Sequence, residues 1–62
     1  MTKHEKKQAL KDLAIKLATE EQLNYSALPF HERHRLVHRA CAFYRNRYGT
    51  PTQTIIDAVL YN

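Results

Sequence analysis

Apolar residues recur through the first third of the chain at helical spacing. Leu10, Leu13, Ala14 and Leu17 stand three and four residues apart, so they line one stripe of an amphipathic helix. Thr2 followed by Glu5 has the spacing of a capping box, in which the hydroxyl and the carboxylate satisfy each other's backbone N–H groups. Together they predict a first helix over about 3–22. Ile15 falls off the stripe and marks a second candidate contact surface, while Asp12 and Lys16 form an i,i+4 pair on the polar side. The periodicity then lapses. Asn24 and Ser26 favour local side-chain bonds to backbone, and Pro29 turns Leu28 away from helical geometry. This segment reads as a connection that folds Leu23, Tyr25 and Leu28 inward.

A second helix is predicted over 29–48, opened by Pro29 and by Glu32 in its first turn. At 100° per residue, Leu36, Val37, Ala40, Tyr44 and Tyr48 share a face, with Phe30 joining it and Phe43 beside it. Arg35, Arg39 and Asn46 lie opposite, free to meet solvent or a ligand. Gly49, the single glycine, suits a left-handed residue at the helix end. Thr50 can cap a third helix with Pro51 at its first position, and Gln53 three residues on completes another capping box. That helix is predicted over 51–61, with Ile55, Ile56, Val59 and Leu60 covering more than half of its circumference. No β-pattern, repeat or linker interrupts the series. The expected architecture is all-α: a small three-helix domain over 1–62, with a helix-turn-helix-like junction at 44–60.

Size sharpens that expectation. A domain of about 60 residues buries only about 60% of its unfolded surface, and one cysteine cannot form an internal disulfide. Helix packing, a metal or self-association remain as means of stabilisation. Ile15, Ile56, Leu60 and Tyr61, beyond the obvious stripes, favour a homodimer. No apolar run approaches the roughly 20 residues that span a bilayer, and no apolar signal segment opens the chain. A soluble, cytoplasmic protein without membrane contact is expected.

Charge points to a class of partner. Ten Lys and Arg oppose six Asp and Glu, for a net charge of +4. That balance suits polyanions through phosphate contacts, although it also serves solubility. The lysines crowd the first helix, and all five arginines (Arg33, Arg35, Arg39, Arg45, Arg47) fall in the second. Arginine's planar fork binds phosphate or carboxylate bidentately.

His34, His38 and Cys41 stand at i, i+4 and i+7, presenting ligand types that zinc uses on one helix face. Tetrahedral sites usually draw ligands from two elements, and the adjacent arginines oppose a dication. The set reads as surface histidines, His31 among them, beside a half-buried thiol. A Cys–His nucleophile lacks an orienting third group, and one glycine cannot build a phosphate loop. No catalytic residue, metal or cofactor is expected, and the chain does not read as an enzyme.

The segment Arg47-Tyr48-Gly49-Thr50-Pro51-Thr52-Gln53-Thr54-Ile55-Ile56-Asp57-Ala58-Val59-Leu60 resembles the helix-turn-helix of GntR-type bacterial repressors. Tyr48, Gly49, Gln53, Thr54, Ile55, Ala58 and Val59 match that pattern over about a quarter of the chain. Arg45 replaces a small alanine, Thr50 replaces an apolar turn residue, and the would-be reading helix carries Asp57 but no Lys or Arg. The same junction, from Tyr44 to Pro51 with Asp57-Ala58-Val59 beyond, is similar to one in the theta subunit of bacterial DNA polymerase III. That family, a three-helix accessory that binds protein, has two fewer residues between the proline and the acidic position.

The first resemblance implies a small DNA-binding transcription regulator of phage, plasmid or bacterial type. Thr52, Gln53 and Ile56 would face base edges, with Gln53 able to pair bidentately with adenine. Arg35, Arg39, Arg45 and Arg47 would hold phosphates, and Thr50 would offer its backbone N–H to another. The alternative is a helical protein-interaction module, an accessory subunit or inhibitor, whose arginine-rich second helix meets an acidic protein surface. The expected partners are therefore duplex DNA or such an acidic surface, with a second copy of the chain.

Overall fold

A computed structural model of the chain describes residues 1–61, and every regular element among them is helical. Helix α1 spans Lys3–Glu20, α2 spans Phe30–Tyr48 and α3 spans Gln53–Leu60, with a 3₁₀ turn at Tyr25–Ala27. The capping box at the start of α1 is complete: Thr2 N donates to Glu5 Oε1 at 3.0 Å, and Glu5 N donates to Thr2 Oγ1 at 3.1 Å. These bonds satisfy N–H groups that the first turn leaves without helical partners. On the polar face Asp12 accepts a 2.9 Å bond from Gln8 Nε2, one turn before it, rather than pairing with Lys16.

Helix α1 stops at Glu20, two residues before its predicted end. Leu23 N donates to Ala18 O at 2.8 Å and Gln22 N to Thr19 O at 2.9 Å. This crossed pair is a Schellman closure, and it places Gln22 at φ 62°, where glycine is the usual occupant. Leu23 then turns towards the core and the chain reverses. Ser26 N donates to Asn24 Oδ1 at 3.2 Å, capping the start of the 3₁₀ turn. Tyr25 is buried there, with Leu23 and Leu28 half-buried beside it, as the lost periodicity suggested.

Pro29 stands just outside α2, so that helix begins at Phe30 rather than at 29. The Pro29 carbonyl accepts from both Glu32 N and Arg33 N at 3.1 Å. At the far end Gly49 N donates to Arg45 O at 3.1 Å. Gly49 itself has φ 89° and ψ −179°. Its φ is positive as expected, but its ψ is extended rather than left-handed helical. The chain therefore leaves α2 straight out instead of curling around its end.

That exit moves the start of α3. Thr52, not Thr50, is the cap: its Oγ1 accepts from Ile55 N at 3.3 Å. Pro51 is a buried residue of the connection, and Gln53 is the first helical position instead of the third. The second predicted capping box is consequently absent, and α3 covers 53–60 rather than 51–61.

Leu10, Ala14, Leu17 and Ala18 of α1 meet Leu36, Val37, Ala40, Cys41 and Tyr44 of α2, and Ile55, Val59 and Leu60 of α3 close the core. Contacts join each helix to both others, in an up-down-up order that lays the N-terminus of α3 beside that of α1. Three residues of the expected apolar faces stay near the surface, Phe30 among them at 39% exposed. Leu13 is half-buried while Ala18 takes an inner place, and Tyr48 remains 43% exposed against the Tyr44 ring, centroids 5.0 Å apart.

Candidate nucleic-acid interface

Four of the five arginines of α2 divide into two groups. Arg35 and Arg39, expected to be free for phosphates, hold carboxylates of the protein itself. Arg35 Nη2 and Nη1 donate to Glu21 Oε1 and Oε2 at 3.0 and 3.2 Å, and its Nη2 also reaches Glu32 Oε2 at 2.8 Å. Arg39 Nη1 donates to Glu21 Oε2 at 2.8 Å. The reason is topological, since the cap residue of α1 is carried back over the first turns of α2. The Arg35 bonds, with Arg39 adding to them, hold the Glu21 carboxyl below its ordinary range; Glu21 and Glu32 in turn raise the Arg35 guanidinium's affinity for its proton.

Arg45 and Arg47 lie at the other end of α2, exposed and in no ion pair among the described residues. The Arg47 guanidinium sits 6.0 Å from the centre of the Tyr48 ring. Close by, a groove of about 370 Å³ is lined by Lys3 and Lys6 of α1, by Tyr44 and Tyr48, and by Thr50, Pro51, Thr52, Thr54 and Ile55. The groove brings two lysine side chains to the N-terminal turn of α3, where backbone N–H groups and the helix dipole favour negative charge. Lys3 and Lys6 were not among the residues singled out from the sequence. Only the packing of α1 alongside α3 reveals them.

On α3, Thr52 spends its hydroxyl oxygen on the cap, and Ile56 is half-buried against the core. Ile56 therefore offers a partner only part of its side chain. Gln53 is exposed, and its Nε2 donates to Asp57 Oδ1 at 2.9 Å. One amide hydrogen and the amide oxygen of Gln53 are left over. Thr50 is exposed in the connection, outside the first turn of α3, so the phosphate contact expected of its backbone N–H would not be a helix-terminus contact.

His34 and His38 lie with ring centroids 4.3 Å apart on the outer side of α2, whereas Cys41 is buried and burial pushes its thiol pKa up against the opposing pull of Arg45. Among the described residues no three His, Cys, Asp or Glu side chains gather in a metal-holding group. Arg33 turns inward: its Nε is buried, and its guanidinium carbon lies 5.9 Å from the centre of the Phe30 ring.

The chain matches no protein-family model, no curated protein and no solved structure. No described helix is long and apolar enough to cross a membrane.

Proposed function

We propose that the chain is a small basic nucleic-acid-binding protein of helix-turn-helix type, which approaches duplex DNA with the N-terminal end of α3. The observation that carries this reading is the groove in which Lys3 and Lys6 flank the first turn of α3. Arg45 and Arg47, both exposed and unpaired among the described residues, add positive charge on two sides of α2 at the same end of the bundle. In this arrangement phosphates are held by the lysines, by the two arginines and by the N–H groups of the α3 terminus. Gln53 is the base reader, and Thr52 fixes its approach by capping the helix. Arg35 and Arg39 serve the fold first, through Glu21.

Binding to labelled random duplex across a salt series tests the proposal. Four phosphate contacts predict a slope of log affinity against log salt near −3.6, taking about −0.9 per contact. Replacing Lys3 and Lys6 by Gln should reduce its steepness by about 1.8 on the same basis. Asp57→Asn should tighten binding to all sequences by removing a like charge beside the phosphates, whereas Gln53→Ala should weaken only a preferred site. Absence of salt-dependent binding to any nucleic acid would sink the reading.

A second reading, a helical protein-interaction module, is favoured by one specific feature. Ile15 and Phe43 are 37% and 49% exposed, and Phe43 shares a shallow apolar recess with Leu13 and Leu17. A second copy of the chain covering that recess would make a homodimer. Sedimentation of a 7.3 kDa species at tens of micromolar would count against the dimer.

A further inference from the structure

A row of rings lies away from the groove at the start of α3. Tyr61, just past the end of α3, stacks on Phe30 at the start of α2, with centroids 5.3 Å apart and planes 28° apart. Phe30 is followed one turn on by His34 at 6.0 Å, and His34 by His38 at 4.3 Å. Tyr61 is 71% exposed and Phe30 39%, and both histidines are exposed. The core therefore does not account for these rings. Positions 30, 34, 38, 41 and 45 follow one another at helical spacing; Cys41 is buried beneath that line, and Arg45 is the exposed side chain one turn beyond it. From Phe30 to Arg45, fifteen steps of 1.5 Å make about 22 Å.

We propose that this ridge is a stacking platform for single-stranded nucleic acid, with Tyr61, His34 and His38 taking bases, Phe30 backing the Tyr61 ring, and Arg45 taking a phosphate at its far end. The inference rests on the reading of the chain as a nucleic-acid-binding protein and adds to it a second, chemically different surface that shares only Arg45 with the first. Duplex DNA keeps its base faces stacked inside, where side-chain rings on a ridge cannot reach them. A single strand presents both faces of each base, and aromatic rings backed by positive charge are how proteins bind it without reading sequence. The charge agrees. The carboxylates beside the ridge among the described residues are engaged by other groups, Glu32 by Arg35 and Asp57, one turn before Tyr61, by Gln53, while Arg33 lies against Phe30 and Arg45 closes the row. A basic or neutral protein partner would gain little from that arrangement. The ridge length fits the short end of the roughly 4–16 nucleotides seen for single-stranded sites.

The test measures the full chain against three labelled probes at one salt concentration: a 12-residue oligo(dT), an abasic strand of the same length, and a duplex. The abasic strand keeps the phosphates but has no bases to stack. Oligo(dT) should bind about tenfold or more tighter than the abasic strand. Tyr61→Ala, which alters a mostly exposed ring, should remove most of that preference, as should Phe30→Leu, which keeps the apolar bulk. Neither should change duplex affinity. Equal binding of oligo(dT) and abasic strand by the wild type overturns the ridge, as does a preference that survives both substitutions. In both cases duplex binding leaves the broader reading standing. Failure to bind any of the three probes overturns both.

Discussion

Arg35 grips Glu21 with both ends of its guanidinium, joining the C-terminal cap of α1 to the first turns of α2. Glu21 is thereby the hub of the only acidic contact that reaches two arginines among the described residues. Its folded carboxyl titrates below the ordinary value of 4.5, first because Arg35 bonds to it. A depressed carboxyl adds stability that is present above the unfolded pKa and is lost as pH falls through the lower folded value. Urea midpoints followed from pH 7 downward should therefore fall more steeply below about 4.5 in the wild type than in Glu21→Gln. The difference will be small, because the pair is solvent-screened. The same variant removes the one carboxylate that pairs with Arg39 among the described residues, while Arg35 keeps Glu32, so it should also steepen the salt dependence of DNA binding. Unchanged acid sensitivity would show that the pair contributes nothing to the fold.

Gly49 has room for a side chain but not the backbone for one. Nothing lies within 4 Å of where its Cβ would stand, yet φ 89° with ψ −179° is a region kept almost wholly to glycine. Gly49→Ala should cost roughly 1–3 kcal/mol in urea unfolding. Asn, which tolerates the left-handed helical region, should be no better than Ala here. A full rescue by Asn would mean that the connection is curled rather than extended.

Two threonines two residues apart have different duties. Thr52→Ala removes the hydroxyl that caps α3 and should cost about 1 kcal/mol. Thr50→Ala, at an exposed position in the connection, should stay within about 0.5 kcal/mol. The opposite order of midpoints would move the cap back to Thr50.

Gln22 holds a positive φ at the Schellman closure of α1. The left-handed region costs an L-residue about 1–2 kcal/mol, part of which glycine returns as lost chain freedom. Gln22→Gly should therefore raise stability by roughly 0.5–1 kcal/mol while leaving the bonds from Leu23 and residue 22 in place. A lower melting temperature would mean that the Gln22 side chain holds contacts that outweigh its backbone strain.

What could be read from the chain was whatever adjacent residues decide. The Thr2–Glu5 box, the inner places of Leu10, Ala14 and Leu17, and the break at Gly49 all follow from spacing within one turn. The error over the α3 cap came from the same source. Thr50 and Thr52 both precede helix-compatible residues, and local chemistry does not say that Pro51 will be buried in the connection. The site was less legible because it depends on pairs far apart in sequence. Glu21 meets Arg35 and Arg39 across 14 and 18 positions, and Lys3 comes to the same groove as Thr52 only once the helices have packed. Ile56 lay beyond the obvious apolar stripes, but the packed core cluster covers part of it.

Cys41 supplies a natural clock for the motions of this bundle. Its thiol is sealed among the core side chains of α2, and burial keeps it protonated at pH values where a free cysteine begins to ionise. A thiol reagent can reach it only when the helices part, so the labelling rate counts openings rather than collisions. The one cysteine makes that signal single-valued, with no second sulfur to blur it. Any ligand that clamps α2 against its neighbours should slow the clock, whatever surface it occupies.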